Sequence, residues 1–256
     1  MIIYRVCKKN NGVEKLQKKK PPKKNPISLY NGYTLNGKIK VEYEYRDDSY
    51  TPDNPLIYTK EQIDSCIEEV KRKKTFCYGI TDSWLYQALE KYNIQAKKVA
   101  VMGSDEIRYE SICLAYGGKP TIIEYNRIIV QDTRVKALTV EEYNRNSERY
   151  DVAFSISSFE HDELGRYGDT LNPAGDLEAM KKMKYILKPN GIFFLAVPVG
   201  ADAVVWNVHR RYGRIRLPLL LATWEVVDSF GYNDYMLDKD YGTGAGPQPV
   251  FVLKNK

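Results

Sequence analysis

Residues 150–200, YDVAFSISSFEHDELGRYGDTLNPAGDLEAMKKMKYILKPNGIFFLAVPVG, restrict what this chain can fold into more than any other segment. Two near-continuous apolar runs, 151–157 and 192–197, bracket a loop rich in Gly, Asp and Asn and a helical stretch that begins at about Asp176. Apolar runs without alternation mark strands covered on both faces, as in a parallel sheet flanked by helices. Strand, loop, helix, strand is one βαβ unit. Its polar loop leaves the carboxyl end of the first strand, where open α/β sheets hold their ligands. Ser157, Ser158, Glu160 and His161 fall at that edge.

A second unit lies upstream. Lys98–Met102 (KVAVM) is a predicted strand ending at Gly103-Ser104-Asp105. A helix carrying Ile107, Ile112, Leu114 and Ala115 follows and is stopped by Gly117-Gly118, since glycine reaches the left-handed conformation of a C-cap. The next strand, 121–125, contains Glu124, 21 residues after Gly103. A glycine at the first strand end lets backbone approach a ligand, and a carboxylate about 20 residues later accepts both ribose hydroxyls. The order strand, glycine turn, helix, strand, acid is the nucleotide half of a doubly wound fold. A third strand is predicted over 134–138, then a short helix boxed by Thr139 and Glu142.

Tyr150, Asp151, Ser157, Glu160 and His161, followed by Leu187, Lys188, Pro189, Gly191, Val197 and Pro198, match a "YD-apolar-SxxxEH" and "LKPxG-apolar-xVP" pattern. In this the chain resembles the class I S-adenosylmethionine (SAM) dependent methyltransferases. The loop EHDELGRYGDTLNPAGD also resembles an uncharacterised, methyltransferase-like group, the domain of unknown function 268. The resemblance implies an α/β, Rossmann-like, doubly wound and mostly parallel seven-stranded sheet whose last strand is antiparallel. It implies SAM as cofactor, with Gly103, Ser104, Asp105, Glu124, Tyr125, Ser157 and Ser158 around it. The pattern has an acid two residues before the first glycine and a second glycine two residues after it. Here those positions are Val101 and Asp105. A non-catalytic Rossmann-like binding protein is therefore the main rival. An NAD(P)-binding oxidoreductase is disfavoured, because G-x-G-x-x-G is absent.

The remaining elements read less sharply. The stretch 38–45 alternates and suggests a half-exposed strand. Thr59 and Gln62 form a capping box ahead of Ile63, Cys66, Ile67 and Val70 at helical spacing, and a second helix is predicted over 82–92. Near the C-terminus, Pro218 opens a predicted helix running through Val227, with closing strands expected at 232–237 and 249–253. The expected organisation is a flexible basic tail (1–26), an N-terminal extension with covering helices (27–95) and a methyltransferase-like domain (96–256).

Net charge along the chain narrows the partners. Residues 1–24 hold nine Lys and Arg against one acid, so of the net +6 the tail carries +8 and the rest −2. The domain is thus expected not to bind nucleic acid, which demands clustered positive charge. Removing this tail is expected to leave melting temperature unchanged, because it adds charge without apolar area. No run reaches the roughly 20 apolar residues of a membrane span, and 1–6 is too short for a signal-peptide core. The four cysteines lack C-x-x-C spacing, so neither zinc nor a disulfide framework is indicated, and a cytoplasmic protein is expected.

Methyl transfer to a hydroxyl requires in-line positioning and a base for the released proton. The chain has two histidines, His161 and His209, each in a polar segment predicted to border the crevice, and Glu160 adjoins the first. His161, fixed by a strand end, is the first choice. Two polar insertions, 162–176 and 199–216, offer Arg166, Tyr167, Asp169, Asn172, Trp206, Arg210, Arg211 and Tyr212 to an acceptor. Aromatic faces beside amides, carboxylates and guanidiniums suit a sugar-like small molecule or glycan, and the paired arginines additionally suit phosphate or carboxylate. Glu160, His161, Asp162 and Asp169 follow no established ligand spacing, so no metal is expected. No G-x-S-x-G elbow is present.

Overall fold

Each apolar run singled out between Lys98 and Ala196 is a strand of one sheet. The structure, a computed structural model, describes residues 20–49, 55–104 and 106–256. Its elements in chain order are α1 (Ile27–Tyr33), β1 (Lys40–Glu44), β2 (Leu56–Tyr58), α2 (Lys60–Lys71), α3 (Ile80–Lys91), β3 (Lys98–Met102), α4 (Arg108–Ala115), β4 (Lys119–Glu124), β5 (Ile128–Val130), β6 (Lys136–Thr139) and α5 (Val140–Arg145). There follow β7 (Tyr150–Ile156), α6 (Gly175–Ile186), β8 (Leu187–Ala196), β9 (Ala203–Asn207), β10 (His209–Arg211), α7 (Arg216–Leu221), β11 (Glu225–Phe230) and β12 (Val250–Lys254).

The main sheet has seven strands in the order β11-β12-β8-β7-β3-β4-β6. β3 pairs in parallel with β4 and β7, β4 with β6, and β7 with β8. β12 runs antiparallel between β8 and β11. This is the doubly wound, mostly parallel sheet expected from the sequence. From β3 the chain winds outward to β4 and β6, then returns to the opposite side as β7. Such a reversal opens a crevice at the carboxyl ends of the two central strands.

Alternation explains why these runs are apolar throughout. Along β3, Val99 and Val101 face one layer while Ala100 and Met102 face the other; on β8, Phe194 and Ala196 oppose Phe193 and Leu195. One layer is formed by α2, α3 and α4 through Val70, Leu85, Leu89 and Ile112, the other by α5, α6 and α7 through Tyr143, Met180, Met183 and Leu220. Each fully buried phenylalanine among them contributes about 1.5–3 kcal/mol. Both predicted capping boxes, Thr59 with Gln62 and Thr139 with Glu142, close α2 and α5 at their N-termini. Among the described residues no helix is long and apolar enough to cross a membrane.

Two expectations fail near the C-terminus. The helix opened near Pro218 ends at Leu221, and its predicted second half is the strand β11. Val226 is β-branched and pairs with Leu253 of β12, a partner that local periodicity does not reveal. The segment expected as a strand at 232–237 instead holds a 3₁₀ turn, Asp234–Asp238, capped by the Asn233 side chain.

The insertion at 199–216 is also more regular than a loop. β9 and β10 form a hairpin, and β1 adds to β9 in parallel. Because β1 belongs to the N-terminal extension, packing crosses the boundary near residue 95, which we propose only as the start of the wound sheet. Of the expected flexible tail, residues 1–19 lie outside the described residues. Pro21 is buried, its carbonyl accepts from Tyr45 Oη at 3.0 Å, and the Pro22 carbonyl accepts from the indole of buried Trp206 at 3.1 Å. Deleting residues 1–24 leaves that indole N–H without its partner. The expected loss, in place of no change, is about 1–3 kcal/mol by denaturant unfolding. An unchanged midpoint would mean that the two carbonyl contacts contribute nothing.

Candidate functional site

The carboxyl ends of β3, β4 and β7 border a cavity of about 270 Å³. β3 runs into Gly103 at φ +73°, and a Cβ built there would lie 2.3 Å from Ser158 Oγ. Only glycine tolerates both the conformation and the approach. β4 ends in Glu124, which lines the cavity with Tyr125 and Asn126, and Glu124 Oε1 accepts from the Tyr125 N–H at 2.7 Å. β7 runs into Ser157, a non-glycine residue at φ +52°, so the chain carries backbone strain where it turns into the site. Ser157 Oγ donates to Glu160 Oε1 at 2.7 Å and accepts from Gln248 Nε2 at 3.0 Å, which holds that turn.

His161 lines the cavity one turn beyond. Its Nδ1 lies 2.6 Å from the Val208 carbonyl and donates to it, leaving Nε2 as the unprotonated acceptor. Burial pushes the ring's pKa down to about 3. Glu160 lies beneath, with Oε1 3.6 Å from His161 Nε2, and burial pushes its carboxyl up to about 8. At neutral pH the two are therefore a neutral pair and not a salt bridge. Asp162, Tyr167 and Asp169 complete this wall; burial raises Asp162 to about 6 and also raises Asp169. Asp169 accepts the N–H groups of Gly165 and Tyr167, both at 3.0 Å, and so shapes the loop that carries it.

Gly103, Ser104, Glu124, Tyr125, Ser157 and Ser158 all line the one cavity, and Asp105 lies outside the described residues. The expected acceptor contacts divide. Tyr167 and Asp169 line the cavity; Trp206, Arg210, Arg211 and Tyr212 do not, and their expected role is corrected by their placement. All four are fully buried, because pairing of β9 with β1 and β10 turns this insertion into interior. Arg210 donates to the carbonyls of Asp162 (2.6 Å) and Asn172 (3.1 Å), and Arg211 to those of Ala201 (2.8 Å) and Gly242 (2.8 Å). Tyr212 Oη donates to Asp176 at 3.0 Å. Asn172 Oδ1 is taken by the Ala174 N–H at 3.0 Å, and Arg166 pairs with Asp48 at 2.6 Å while lying over the Tyr167 ring. His209 is buried on β10 behind the wall, its ring centre 6.4 Å from that of His161, and burial lowers its pKa to about 4.

Sequence comparison matches residues 96–239 to the family described as Caenorhabditis protein of unknown function, DUF268. The chain belongs to the DUF268 family. No curated protein matches it. Among solved structures it is similar to the 1,6-didemethyltoxoflavin-N1-methyltransferase of Burkholderia thailandensis, crystallised with 1,6-didemethyltoxoflavin and S-adenosylhomocysteine. The two are 14% identical over 76% of this chain and 85% of that one, with a TM-score of 0.50. The N-methyltransferase NodS of Bradyrhizobium japonicum WM9 with S-adenosylhomocysteine is 12% identical over 76% and 97%, at 0.44. At such identities the likeness is one of fold, and the first comparison gives this DUF268 protein the Rossmann-like methyltransferase fold.

Sequence reasoning missed four lining residues of the DUF268 cavity, Leu56, Tyr78, Asn126 and Ile128. Ile128 belongs to β5, a three-residue strand paired with β2, and Leu56 to β2 itself. Strands that short carry no readable period, and Tyr78 sits in the turn before α3. Asn126, two residues past Glu124, was findable from the strand-end rule.

Proposed function

We propose that this protein is a SAM-dependent methyltransferase that methylates a hydroxyl of a small polar or sugar-like acceptor. The observation that carries this reading is the meeting of Gly103 and Glu124, at the ends of adjacent parallel strands, in one cavity at the sheet's reversal point. The residues present fit SAM. Gly103 brings the end of β3 to the cavity against the Ser158 side chain, and Glu124 offers carboxylate oxygens to a ribose diol. Asp162 and Asp169 give the cavity a negative wall suited to a ligand with sulfonium and ammonium charges. When bound, SAM supplies an electrophilic methyl group.

In this reading the protein positions and deprotonates. Ser157 and Ser158 border the reacting end, and the Val208 carbonyl holds the His161 ring so that Nε2 receives the hydroxyl proton. SAM held there would supply its methyl group to the acceptor oxygen, while His161 Nε2 takes the proton that the hydroxyl gives up. The bound S-adenosylhomocysteine of the Burkholderia enzyme, and its small-molecule substrate, support the same class of ligands here. The free thiols of Cys66, Cys77 and Cys113 suit a reducing compartment such as the cytoplasm.

Titration calorimetry with SAM, S-adenosylhomocysteine and NAD tests the reading. We expect the first two to bind, and Glu124→Ala to weaken them by about 1–3 kcal/mol through lost charge-assisted hydrogen bonds. Binding of NAD alone would sink it. Binding of SAM without turnover on any acceptor would favour the non-catalytic rival, to which Asp105 in the place of a glycine points.

A further inference from the structure

We propose that Gln248 is a positioning residue for the site, which aims the Ser157 hydroxyl at Glu160 and so governs when a carboxylate stands behind His161. What this does for catalysis rests on the methyltransferase reading above, whereas the hydrogen bonds do not. Gln248 is buried in the segment that enters β12 and does not line the cavity. Its backbone is tied down on both sides. The Val199 N–H donates to the Pro247 carbonyl at 2.9 Å, and Thr81 Oγ1 of α3 donates to the Gln248 carbonyl at 2.9 Å. So fixed, the side chain presents Nε2 to Ser157 Oγ at 3.0 Å, while its Oε1 is buried and accepts nothing among the described residues. An unmade buried acceptor is destabilising, and an apolar side chain of that length would avoid it. What offsets it is the bond that Nε2 makes to Ser157.

A serine hydroxyl has a single proton. With an amide N–H already on Oγ, that proton goes to Glu160 Oε1 at 2.7 Å. The direction matters, because a hydrogen bond donated to a carboxyl favours its ionised form and one accepted from it favours the neutral form. Without the amide, Oγ is free to accept from a protonated Glu160. Burial is the larger influence and raises this carboxyl to about 8, while the Ser157 bond pulls the other way. The charged and titratable groups around it are His161 and Asp162 on the same turn, Arg166 and Tyr167 in the loop beyond, and Arg210 and Tyr212 from β10 and the residue after it. Replacing the amide by an apolar side chain alters none of these.

The test follows Glu160 directly. The full chain is made with glutamate isotope-labelled at the side-chain carboxyl, and the NMR signal absent from Glu160→Gln is titrated without SAM or acceptor. We expect a wild-type midpoint near 8 and, in Gln248→Met, a midpoint higher by about 0.5–1 pH unit. Gln248→Glu sets a second carboxylate there to take the Ser157 proton, should raise the midpoint further, and serves equally where Gln248→Met does not fold. In Ser157→Ala the midpoint should already be raised, and adding Gln248→Met should move it no more. A midpoint that does not rise in the Gln248 variants overturns the proposal, as does a further rise when Gln248→Met is added to Ser157→Ala. Because the titration needs neither ligand, failure to bind SAM would remove the methyltransferase reading and leave this result standing. Where both hold, the alkaline rise in turnover should move up with the midpoint, and a rise left in place while the NMR midpoint moves would overturn the catalytic role.

Discussion

Replacing Asp176 by Asn is expected to lower the unfolding free energy by about 3–5 kcal/mol, the loss that follows when a buried ion pair is broken from one side. Asp176 is fully buried on α6. Its Oδ1 accepts from Arg216 Nη2 at 2.6 Å, and its Oδ2 accepts from Arg216 Nε at 2.9 Å and from Tyr212 Oη at 3.0 Å. Arg210 Nε lies 3.5 Å from Oδ1, so two buried guanidiniums share one carboxylate. Asparagine keeps the shape and removes the charge, leaving both cations uncompensated.

The effect has a defined pH dependence. Burial by itself would raise the Asp176 pKa, but Arg210 and Arg216 outweigh it and hold the carboxyl below its usual range. A carboxyl whose folded pKa is depressed stabilises fully above its unfolded value and loses that contribution as pH falls through the folded one. The gap between wild type and variant should therefore be constant from pH 6 to 8 and close in strong acid. Denaturant midpoints at pH 7 and in acid measure it, and a gap under about 1 kcal/mol at pH 7 would show that the arginines find other partners. The clamp also reaches the site. Arg210, held by Asp176, donates to the carbonyls of Asp162 and Asn172, and so ties the β9–β10 hairpin to the loop that carries His161.

Burial on both faces is what made the central sheet readable. β3 has the bounds expected from KVAVM, and β7 differs from expectation by one residue at each end, because a strand between two helical layers must be apolar at every position. The residues at the carboxyl ends of these strands, Gly103, Glu124 and Ser157 to His161, were legible for the same reason. Where a partner is distant in sequence, legibility ends. Val226 faces Leu253 and Arg211 donates to Gly242, and neither polarity nor period near 211 or 226 encodes those contacts. A cluster of arginines reads as surface, since an unpaired guanidinium is almost never buried; here Asp176 and a set of backbone carbonyls make burial tolerable.

His161→Ala should reduce turnover by about 10²–10⁴-fold, the contribution of a general base, and leave SAM affinity unchanged. The ring lines the cavity, is held through Nδ1 by the Val208 carbonyl, and has Nε2 3.6 Å from Glu160 Oε1. Equal loss of binding and rate would instead make it part of the cofactor pocket. The pH profile separates these roles independently. With the ring pKa pushed down to about 3, the base form is populated throughout pH 5–7, so the rate should not fall on the acid side as it does for an ordinary histidine near 6.5. Glu160 titrates on the other side. Its carboxyl, raised to about 8, ionises as pH passes that value, and a negative charge 3.6 Å from Nε2 makes the ring a stronger base. Turnover should therefore rise through pH 8 in the wild type and stay flat in Glu160→Gln, which keeps the hydrogen bond to Ser157 and cannot ionise. A Glu160→Gln profile that still rises would assign the limb to the acceptor, and a fall below pH 6.5 that persists in Asp162→Asn, which removes the other group titrating there, would mean that His161 titrates as an ordinary histidine.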